Sequence, residues 1–347
     1  IKIMAYATFN KPSLHFNTKL FTGTGSTNAQ TGVGFQPDMV WFKNRSEPYS
    51  HQLYDVVRGV TKRILPDLTT AEETDANGLT AFGTDGFTVG SNVGVNKSSN
   101  NICSWNWKAG NSQGSSNTDG TINTTYTSVN TAAGFSISTY TGNGTNGATI
   151  GHGLGVVPQT VWIKRLSNVD GLIAYHASYG NNASVKMDRE GASEGNFWNS
   201  TTPTSSVVTV TNSTECNVNG QTYVMYSWAE KKGFSKFGQY TGNNSSDGMF
   251  VFTGFKPALV IVKRSDGSND WCMYDNKRDV DNPVEDKLQA NSTAAESNDL
   301  SMDFVANGFK FRQNGGNFNG SYAYIYMAWA ESPLVINQGE SFPVTAR

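Results

Sequence analysis

Three diverged copies of one pattern run through the chain, and this repetition constrains the fold more than any other feature. In each copy a proline begins an apolar run that ends on a lysine six residues later. Each copy then closes on an aromatic strand, whose tryptophan lies 64 to 66 residues after that lysine. The runs are Pro37 to Lys43, Pro158 to Lys164 and Pro257 to Lys263, and the closing tryptophans are Trp107, Trp228 and Trp329. Matching offsets in three places predict three homologous units.

The size of the repeating unit predicts separate domains. Each unit holds roughly 100 residues, which suits an independent domain and is too long for a solenoid repeat. We expect the first copy over residues 1–110, the second over 131–231 and the third over 232–333. Residues 111–130 are rich in Gly, Ser, Asn and Thr, which predicts a linker or an inserted loop. Residues 334–347 are expected to form an extended C-terminal tail.

Composition and residue alternation favour β-structure. Glycine occurs 36 times among 347 residues, aromatic residues make up 12% and charged residues only 16%, which suits short strands joined by many turns. In the closing strand of the third copy, Tyr324 and Tyr326 alternate with Ile325 and Met327. One face of such a strand should lie in the core of its unit, and the other should meet solvent, a neighbouring unit or a neighbouring chain. We therefore predict an all-β chain of three tandem, diverged β-sandwich domains.

The first and third copies share further local patterns. A Tyr-Asp-x-x-Arg element begins at Tyr54 and again at Tyr274, and we expect it to form an internal ion pair or to lock a turn. Asp-Gly-Phe at 85–87 and Asn-Gly-Phe at 307–309 predict hairpin turns, because glycine accepts a positive φ. One helix is expected at Gln52–Leu65, where apolar residues fall near helical spacing.

Side chains that carry metal or redox chemistry are sparse and widely separated. Their spacing indicates no disulfide framework, no metal site and no cofactor. We expect the cysteines to be buried and the histidines to lie at the surface or at caps. Asp275, Asp279 and Asp281 miss the spacing of a calcium loop. The cysteines are Cys103, Cys216 and Cys272, and the histidines are His15, His51, His152 and His176.

Charge and hydropathy limit the partners. The net charge is −2, and no basic stripe is present, so we expect no nucleic-acid binding. No apolar run reaches the length that spans a bilayer, so we expect no membrane insertion. Residues 1–12 lack the pattern of a signal peptide, which together with the sparse cysteines favours assembly in a cytosol.

Four aromatic residues are candidates for ligand binding. Tyr175, His176, Trp198 and Trp271 lie outside the shared landmarks, and we interpret them as loop residues among Asn and Ser neighbours. Such side chains stack on sugar rings, and small polar neighbours supply hydrogen bonds. The alternative is that these aromatics pack between domains or between subunits.

Five runs of sequence resemble a class of bacteriophage virion proteins, many of them from marine phages. They are Lys11–Ser26, Gly34–Ser46, Asp85–Ser91, Ser104–Gly110 and Trp329–Pro333. The resemblance is most specific in the first copy, good in the third and partial in the second. It implies tandem jelly-roll or concanavalin-like β-sandwiches on tail fibres or other virion surfaces, and it carries no catalytic or ligand residues.

The resemblance implies a structural virion appendage, a tail fibre or adhesin that mediates host-surface recognition through glycan binding. We expect it to be assembled in the host cytoplasm, to contact other virion proteins, to form a homotrimer and to have no enzymatic activity. One alternative is a capsid- or tail-decorating protein without a receptor role. Another is a glycan depolymerase, which needs two carboxylates held across a cleft. The acidic candidates are Glu72, Glu73, Asp85, Asp188, Glu190, Asp275 and Asp303.

Overall fold

The chain folds almost entirely into antiparallel β-structure, as its composition predicts. The computed structural model describes residue 9 and residues 11–333. Helical structure in this part of the chain is limited to a 3-10 turn at Pro12–Leu14 and the four-residue helix α1 at Val93–Asn96. Within the same residues, no helix is long and apolar enough to cross a membrane. The tail expected at residues 334–347 lies outside the described residues.

The first copy forms a four-stranded sheet, a three-stranded sheet and a short hairpin. The orders are β1-β9-β3-β4, β2-β8-β7 and β5-β6. The strands are β1 (Phe16–Thr22), β2 (Asn28–Thr31), β3 (Met39–Asn44), β4 (Gln52–Asp55), β5 (Lys62–Arg63), β6 (Glu73–Thr74), β7 (Leu79–Gly83), β8 (Gly86–Val89) and β9 (Asn101–Trp107).

The second copy forms a six-stranded sheet and a two-stranded sheet. The orders are β10-β11-β17-β13-β14-β15 and β12-β16. The strands are β10 (Thr124–Asn130), β11 (Phe135–Thr141), β12 (Ala148–Gly151), β13 (Thr160–Arg165), β14 (Ile173–His176), β15 (Gly180–Lys186), β16 (Val207–Val210) and β17 (Thr222–Trp228).

The third copy forms one eight-stranded sheet with the order β18-β25-β20-β21-β22-β23-β24-β19. The strands are β18 (Ser235–Thr241), β19 (Phe250–Phe252), β20 (Phe255–Arg264), β21 (Trp271–Asp275), β22 (Val284–Gln289), β23 (Ser297–Val305), β24 (Gly308–Phe311) and β25 (Ala323–Pro333).

One four-strand order recurs in all three copies, in the same register. The order is β1-β9-β3-β4, then β11-β17-β13-β14, then β18-β25-β20-β21. In each copy the closing tryptophan pairs with one residue on each of the two neighbouring strands. On the first strand this is the initial residue, and on the second it is the residue four positions before the repeated lysine. The partners are Phe16 and Met39 for Trp107, Phe135 and Thr160 for Trp228, and Ser235 and Leu259 for Trp329. The matching offsets in the sequence therefore reflect one repeated topology.

Each of these sheets has two buried faces, whereas the alternation in the closing strand predicts burial of one face and leaves solvent, a neighbouring unit or a neighbouring chain for the other. Tyr324 and Tyr326 pack into a core that belongs to the third copy alone. Ile325 and Met327 point the other way, into a core shared by all three copies. The prediction left open what would cover this second face, and the neighbouring units cover it.

The shared core, here called the central core, is built around tryptophan. Its tryptophans are Trp41, Trp105, Trp107, Trp162, Trp228, Trp271 and Trp329. The three closing tryptophans meet one another, with ring centroids 5.3 Å apart for Trp107 and Trp329, 6.2 Å for Trp228 and Trp329, and 6.4 Å for Trp107 and Trp228. Each large apolar side chain buried in this way contributes about 1.5–3 kcal/mol to folding. An isolated copy would leave this apolar face in water, so the three copies form one ring around the central core.

Two expectations about local structure are wrong. The helix expected at Gln52–Leu65 is absent: this segment forms β4, a turn and β5, because Leu53 pairs across to Ile64 instead of packing along a helix. The expectation of a linker or an inserted loop at 111–130 is wrong for its last part, Thr124–Asn130, which forms β10 and pairs with β11 along the edge of the second sheet. Both segments satisfy their backbone groups by pairing with distant residues, which local spacing does not reveal.

The two predicted hairpin turns are confirmed. Gly83 pairs with Gly86 and Val305 pairs with Gly308, so each hairpin closes over a two-residue loop. In the first copy, the Asp85 carboxylate also accepts hydrogen bonds from the N–H groups of Gly32 and Gly34, at 2.9 and 2.6 Å. This carboxylate fixes the loop between β2 and β3 against the hairpin.

Candidate functional site

The four aromatic residues predicted to bind a ligand are all buried. Tyr175 and His176 lie on β14 and Trp271 on β21, so their expected position in loops is wrong, whereas Trp198 lies in a bend. None is more than 2% exposed, which leaves no ring face open for stacking on a sugar. Tyr175 and Trp198 pack together in the core of the second copy. Ligand binding by these residues stays a prediction; the alternative of packing between units is supported for His176 and Trp271, whereas Tyr175 and Trp198 pack within one unit.

His176 and Trp271 connect the second copy to the third. The His176 Nε2 donates to the carbonyl of Tyr326 at 3.1 Å, while its Nδ1 accepts from the N–H of Ser178 at 3.3 Å. Burial lowers the pKa of His176 to about 4, so the ring is neutral at physiological pH. Trp271 Nε1 donates to the carbonyl of Lys186 at 2.9 Å. We call the contact between two copies a junction, and these bonds lie at the second–third junction.

The predicted ion pairs of the Tyr-Asp-x-x-Arg elements are confirmed, and they also cross junctions. Asp275 Oδ2 binds Arg278 Nε at 2.6 Å and accepts a hydrogen bond from Trp105 Nε1 of the first copy at 2.9 Å. Asp55 Oδ2 binds Arg58 Nε at 2.5 Å and accepts from Tyr226 Oη of the second copy at 2.7 Å.

The third equivalent position on the ring is occupied by a histidine. Asp55, His176 and Asp275 are equivalent, because each pairs with the residue that lies four positions before the repeated lysine on the preceding strand. Burial alone would raise the pKa of Asp275, but the charge of Arg278 lowers it below its usual value. The side chain at each of these three positions forms a hydrogen bond with the closing strand of the next copy around the ring. The three junctions therefore share the same type of contact.

The repeated lysine of each copy also contributes to a junction, but it contacts the preceding copy rather than the next one. All three lysines are fully buried, and burial lowers the pKa of each to about 8. Each Nζ donates to a backbone carbonyl of the preceding copy around the ring. The bonds are Lys164 to Leu68 at 3.3 Å, Lys263 to Glu190 at 2.9 Å and Lys43 to Thr293 at 2.8 Å. The bond from Lys43 joins the first copy to the third, so the ring is closed within one chain.

Cysteines and histidines have structural surroundings. The three cysteines are free and buried, as predicted. Of the two positions expected for histidines, the surface is wrong for His51, His152 and His176, which are at most 2% exposed, whereas His152 and His176 do accept from the backbone N–H two residues later, as a cap does. Backbone groups bond both ring nitrogens of His152 and His176, as where His152 Nδ1 accepts from the N–H of Leu154 at 3.2 Å, whereas His51 Nδ1 accepts from Trp41 Nε1 at 2.9 Å. Among residue 9 and residues 11–333, no three His, Cys, Asp or Glu side chains are grouped as a metal site.

The seven carboxylates considered for glycan cleavage are spread over all three copies. Six of them bind a cationic side chain or backbone N–H groups. These contacts are Glu72 with Arg58, Glu73 with Arg63, Asp85 with two glycine N–H groups, Asp188 with Arg189, Asp275 with Arg278, and Asp303 with Arg312. Each contact stabilises a local turn or a junction. For Glu190, the backbone carbonyl receives the lysine bond described above.

The outer sheets differ among the copies at equivalent positions. The strands β2, β12 and β19 all pair with the strand that begins 21 residues before the closing tryptophan. In the third copy β19 is the last strand of the sheet, and it exposes two phenylalanines, Phe250 at 43% and Phe252 at 53%. In the second copy the outer edge of β12 is covered. There the carbonyl of Thr149, which is equivalent to Phe250, accepts from the N–H of Ile122 at 2.9 Å.

Several cavities open on the part of the chain that the structure describes, and three of them lie beside the features above. One of about 250 Å³ lies between the first and second copies beside Arg58 and Tyr126, and one of about 490 Å³ lies beside Val157 and Lys231. The third, of about 300 Å³, lies in the third copy beside Asn276. Asn276 is among the lining residues of the third cavity, but its Oδ1, which has no hydrogen-bond partner among the described residues, is buried.

The sequence pattern matches one family model over residues 11–333, and that family is described as a domain of unknown function, DUF7483. The chain belongs to this family. The match begins before β1 and ends with β25, so the DUF7483 unit includes all three copies and every junction. No curated protein and no solved structure matches the chain.

Sequence reasoning missed two features of this DUF7483 chain. The lysines stood out as landmarks, but nothing local showed that their Nζ groups cross to another copy. Asn276 was also missed, although the aligned motifs held a signal. The residue after the aspartate is Val56 in the first copy and Asn276 in the third, so a polar residue replaces an apolar one inside a matched element.

Proposed function

We propose that this chain is a structural and recognition component of a bacteriophage particle, attaching to glycans on the host surface. The five runs that resemble virion appendage proteins support this proposal. We also infer that each copy is a diverged jelly-roll or concanavalin-like β-sandwich. The inference is supported by the separate apolar core of each copy, which lies on the side of its sheet away from the central core.

One observation carries the proposal: the copies agree at their junctions and differ on their outward surfaces. The lysine bond occurs three times, whereas the outer strands and loops differ in apolar exposure and in the cavities beside them. A rigid ring with three unlike outer surfaces suits a protein that holds a fixed shape while presenting distinct contacts. Recognition then belongs to one copy, and the others support it.

Two measurements test the proposal together. Gold-labelled antibody against the purified chain should mark intact phage particles, and the fluorescent chain should bind host cells. Periodate oxidation of the host surface, which destroys vicinal diols of sugars, should abolish that binding, whereas protease treatment should not. Absence of the chain from particles, or cell binding that survives periodate, would contradict the proposal.

A second candidate function is favoured by the exposed edge of β19. A decorating protein without a receptor role would attach to the capsid or tail through strand edges. An unpaired edge with apolar side chains is a ready template for an added strand. The first two copies avoid such exposure, since Ala29 and Thr149 stand at the position of Phe250.

The double variant Phe250→Thr/Phe252→Thr distinguishes the two candidates. The double variant gives the third copy the type of residue that the first two copies have at these positions. Val169→Thr, at a residue that is 60% exposed, serves as a control. For a decorating protein, the double variant should be lost from particles and the control retained. Retention of both would remove the support from β19. Light scattering of the purified chain would test the proposed homotrimer.

A further inference from the structure

One strand edge of the third copy has no neighbouring strand among the described residues. β19 is the last strand of its sheet, and its ladder is with β24. Just beyond β19, the N–H of Thr253 donates to the carbonyl of Asn307 at 2.9 Å. Hydrogen-bonded pairs alternate along an antiparallel ladder, so Val251 also bonds toward β24, whereas the N–H and C=O groups of Phe250 and Phe252 point to the open edge.

The side chains at this edge are apolar as well. Val251 points into the core of the third copy, while Phe250 and Phe252 lie on the outer face and are exposed. The repeated fold does not require phenylalanine here, because Ala29 and Thr149 stand at the position of Phe250 in the other copies. An open edge that exposes apolar side chains is a template for a further strand. We call this surface the β19 edge.

The second copy shows how the equivalent edge is filled. Thr149, the residue equivalent to Phe250, bonds to another segment through both of its backbone groups. Its carbonyl accepts from the N–H of Ile122 at 2.9 Å, and its N–H donates to Thr121 Oγ1 at 2.8 Å. Ile122 also forms a parallel β-bridge with Ile150. A segment of the same chain therefore lies along this edge.

The connection that precedes the third copy is too short to do the same. Residues 108–134 separate Trp107 from β11, and they include the segment that covers β12. Only residues 229–234 separate Trp228 from β18. So short a connection cannot cross to the outer sheet and return. A segment that covers the β19 edge must come from elsewhere in the chain or from a partner.

Residues 334–347 follow β25 and begin close to the β19 edge. Pro333 pairs with Phe255, and Phe255 lies three residues after Phe252. Residues paired across a ladder are about 5 Å apart and three residues span at most about 11 Å, so Phe252 lies within about 16 Å of Pro333. At most about five extended residues cover that distance, which leaves further residues for the edge itself. The apolar residues of this segment are Leu334, Val335, Ile336, Phe342 and Val344.

We propose that residues 334–347 of the same chain bind the β19 edge. Their backbone bonds to the open N–H and C=O groups of Phe250 and Phe252, and their apolar side chains cover the two phenyl rings. The third copy is then closed by a segment of its own chain, as the second copy is. This proposal does not rest on the recognition role. A filled edge is closed to a strand of the capsid or tail, so the decorating function would lose the observation that favours it.

Hydrogen exchange of the purified full chain, resolved to single residues by fragmentation in a mass spectrometer, tests the proposal. The amides of Phe250 and Phe252 should exchange at least about a hundredfold more slowly than unpaired amides, because the added segment bonds to both. Free exchange of the two amides in the purified chain would overturn the proposal.

Two sets of substitutions in the full chain identify the segment that gives this protection. Serine at the apolar positions should speed exchange of both amides at least about tenfold, whereas serine at polar positions should change neither rate. The amide of Thr149 bonds within the second copy and should stay protected in both variants, which shows that the ring remains folded. Protection of Phe250 and Phe252 that survives the apolar set would overturn the proposal. The apolar set is Leu334→Ser, Val335→Ser, Ile336→Ser, Phe342→Ser and Val344→Ser, and the polar set is Asn337→Ser, Gln338→Ser and Thr345→Ser.

A disulfide distinguishes a segment of the same chain from that of a second copy. Phe252→Cys, at an exposed residue, is combined in turn with one cysteine in the segment, while the three native cysteines are buried. Under mild oxidation at least one combination should form a disulfide within one chain, because bridged residues lie close together. Disulfide-linked dimers on a non-reducing gel would overturn the proposal. The second substitutions are Val335→Cys, Ile336→Cys, Asn337→Cys, Gln338→Cys, Gly339→Cys and Glu340→Cys.

A virion partner is the other occupant that these measurements detect. If the amides of Phe250 and Phe252 exchange freely in the purified chain and are protected only in intact particles, a partner strand fills the β19 edge. That result would overturn the proposal and support the decorating function. Binding to host cells is measured separately, so failure at the β19 edge leaves the recognition role standing.

Discussion

Polar groups that cross between copies lie out of contact with water, so each depends on its partner. Asp275 and the Arg278 guanidinium are fully buried, and Trp105 supplies a further donor from the neighbouring copy. Removing one member of a buried pair leaves an uncompensated charge, which is far more costly than losing a surface ion pair. Single residues at the junctions should therefore have large effects on stability.

Arg278→Met should lower the free energy of unfolding by about 3–5 kcal/mol, because Asp275 then remains buried without its cation. Urea unfolding followed by tryptophan fluorescence measures the change. Lys277→Met, at the adjacent exposed residue, should change stability by less than about 0.5 kcal/mol. Equal effects of the two variants would contradict the assigned role of the pair.

The three buried lysines should make stability rise with pH between 7.5 and 9. Burial holds the pKa of Lys43, Lys164 and Lys263 near 8, against an ordinary value of 10.5. As the pH passes 8 the folded chain loses these protons while the unfolded chain keeps them, so the unfolded state binds more protons and stability increases. A neutral amine still donates to the junction carbonyls. The thermal midpoint should therefore rise over this range.

A lysine variant isolates this effect from other groups. Lys43→Met should reduce the rise by about a third, since one of three equivalent groups is removed. Lys277→Met should leave the rise unchanged. Above pH 9 the buried cysteines oppose the trend, because burial raises the pKa of Cys216 and Cys272 to about 12 and only the unfolded thiols ionise. A flat or falling midpoint below pH 9 in the unmodified chain would contradict the account.

At the scale of elements, the sequence predicts those strands and turns that depend on residues close to one another in the chain. The closing strands and the two hairpins follow from alternation and turn residues, and the structure confirms them, although only Gly86 of the two hairpin glycines has the positive φ that the prediction invokes. The segment Gln52–Leu65 has apolar spacing close to that of a helix, but Leu53 pairs with Ile64 and the segment becomes strands. Local spacing does not encode such a distant partner.

The same reason explains the errors at the candidate site. Trp271 follows Asn269 and Asp270 in sequence, which favours exposure, and His176 is itself polar, yet each is covered by another copy. Asn276 lies within a matched motif, but only the structure reveals that its Oδ1 lacks a partner beside a cavity. Sequence identifies the repeated elements, whereas the contacts between copies decide which side chains remain accessible.

Close approach of β24 to β19 makes one glycine of the outer sheet sensitive to substitution. A Cβ added at Gly308 would lie 2.1 Å from the carbonyl oxygen of Val251. Gly308→Ala should therefore separate the two strands and cost about 1–3 kcal/mol. Gly316→Ala is the matched control, because its nearest neighbour would be 3.4 Å away. Thermal unfolding of both variants gives the comparison, and equal midpoints would contradict the strand pairing.

At the scale of the whole molecule, one chain builds a closed ring with approximate three-fold symmetry. The contacts between the first and second copies, and between the second and third, join neighbours in sequence. The contact between the third and the first spans nearly the whole chain, as where Lys43 reaches Thr293. Because the family match extends over all three copies, we expect the ring to be the unit that other members share.

Ring closure is tested most directly by a double-mutant cycle on Arg45 and Glu296, which are 251 residues apart in sequence. Arg45 Nη2 and Nε bind both carboxylate oxygens of Glu296 at 2.5 to 3.0 Å, and the two side chains are 16% and 14% exposed. Unfolding free energies of Arg45→Ala, Glu296→Ala and the double variant give the coupling energy. A coupling of about 1 kcal/mol or more is expected for side chains in direct contact, and additive effects of the two substitutions would contradict the closed ring.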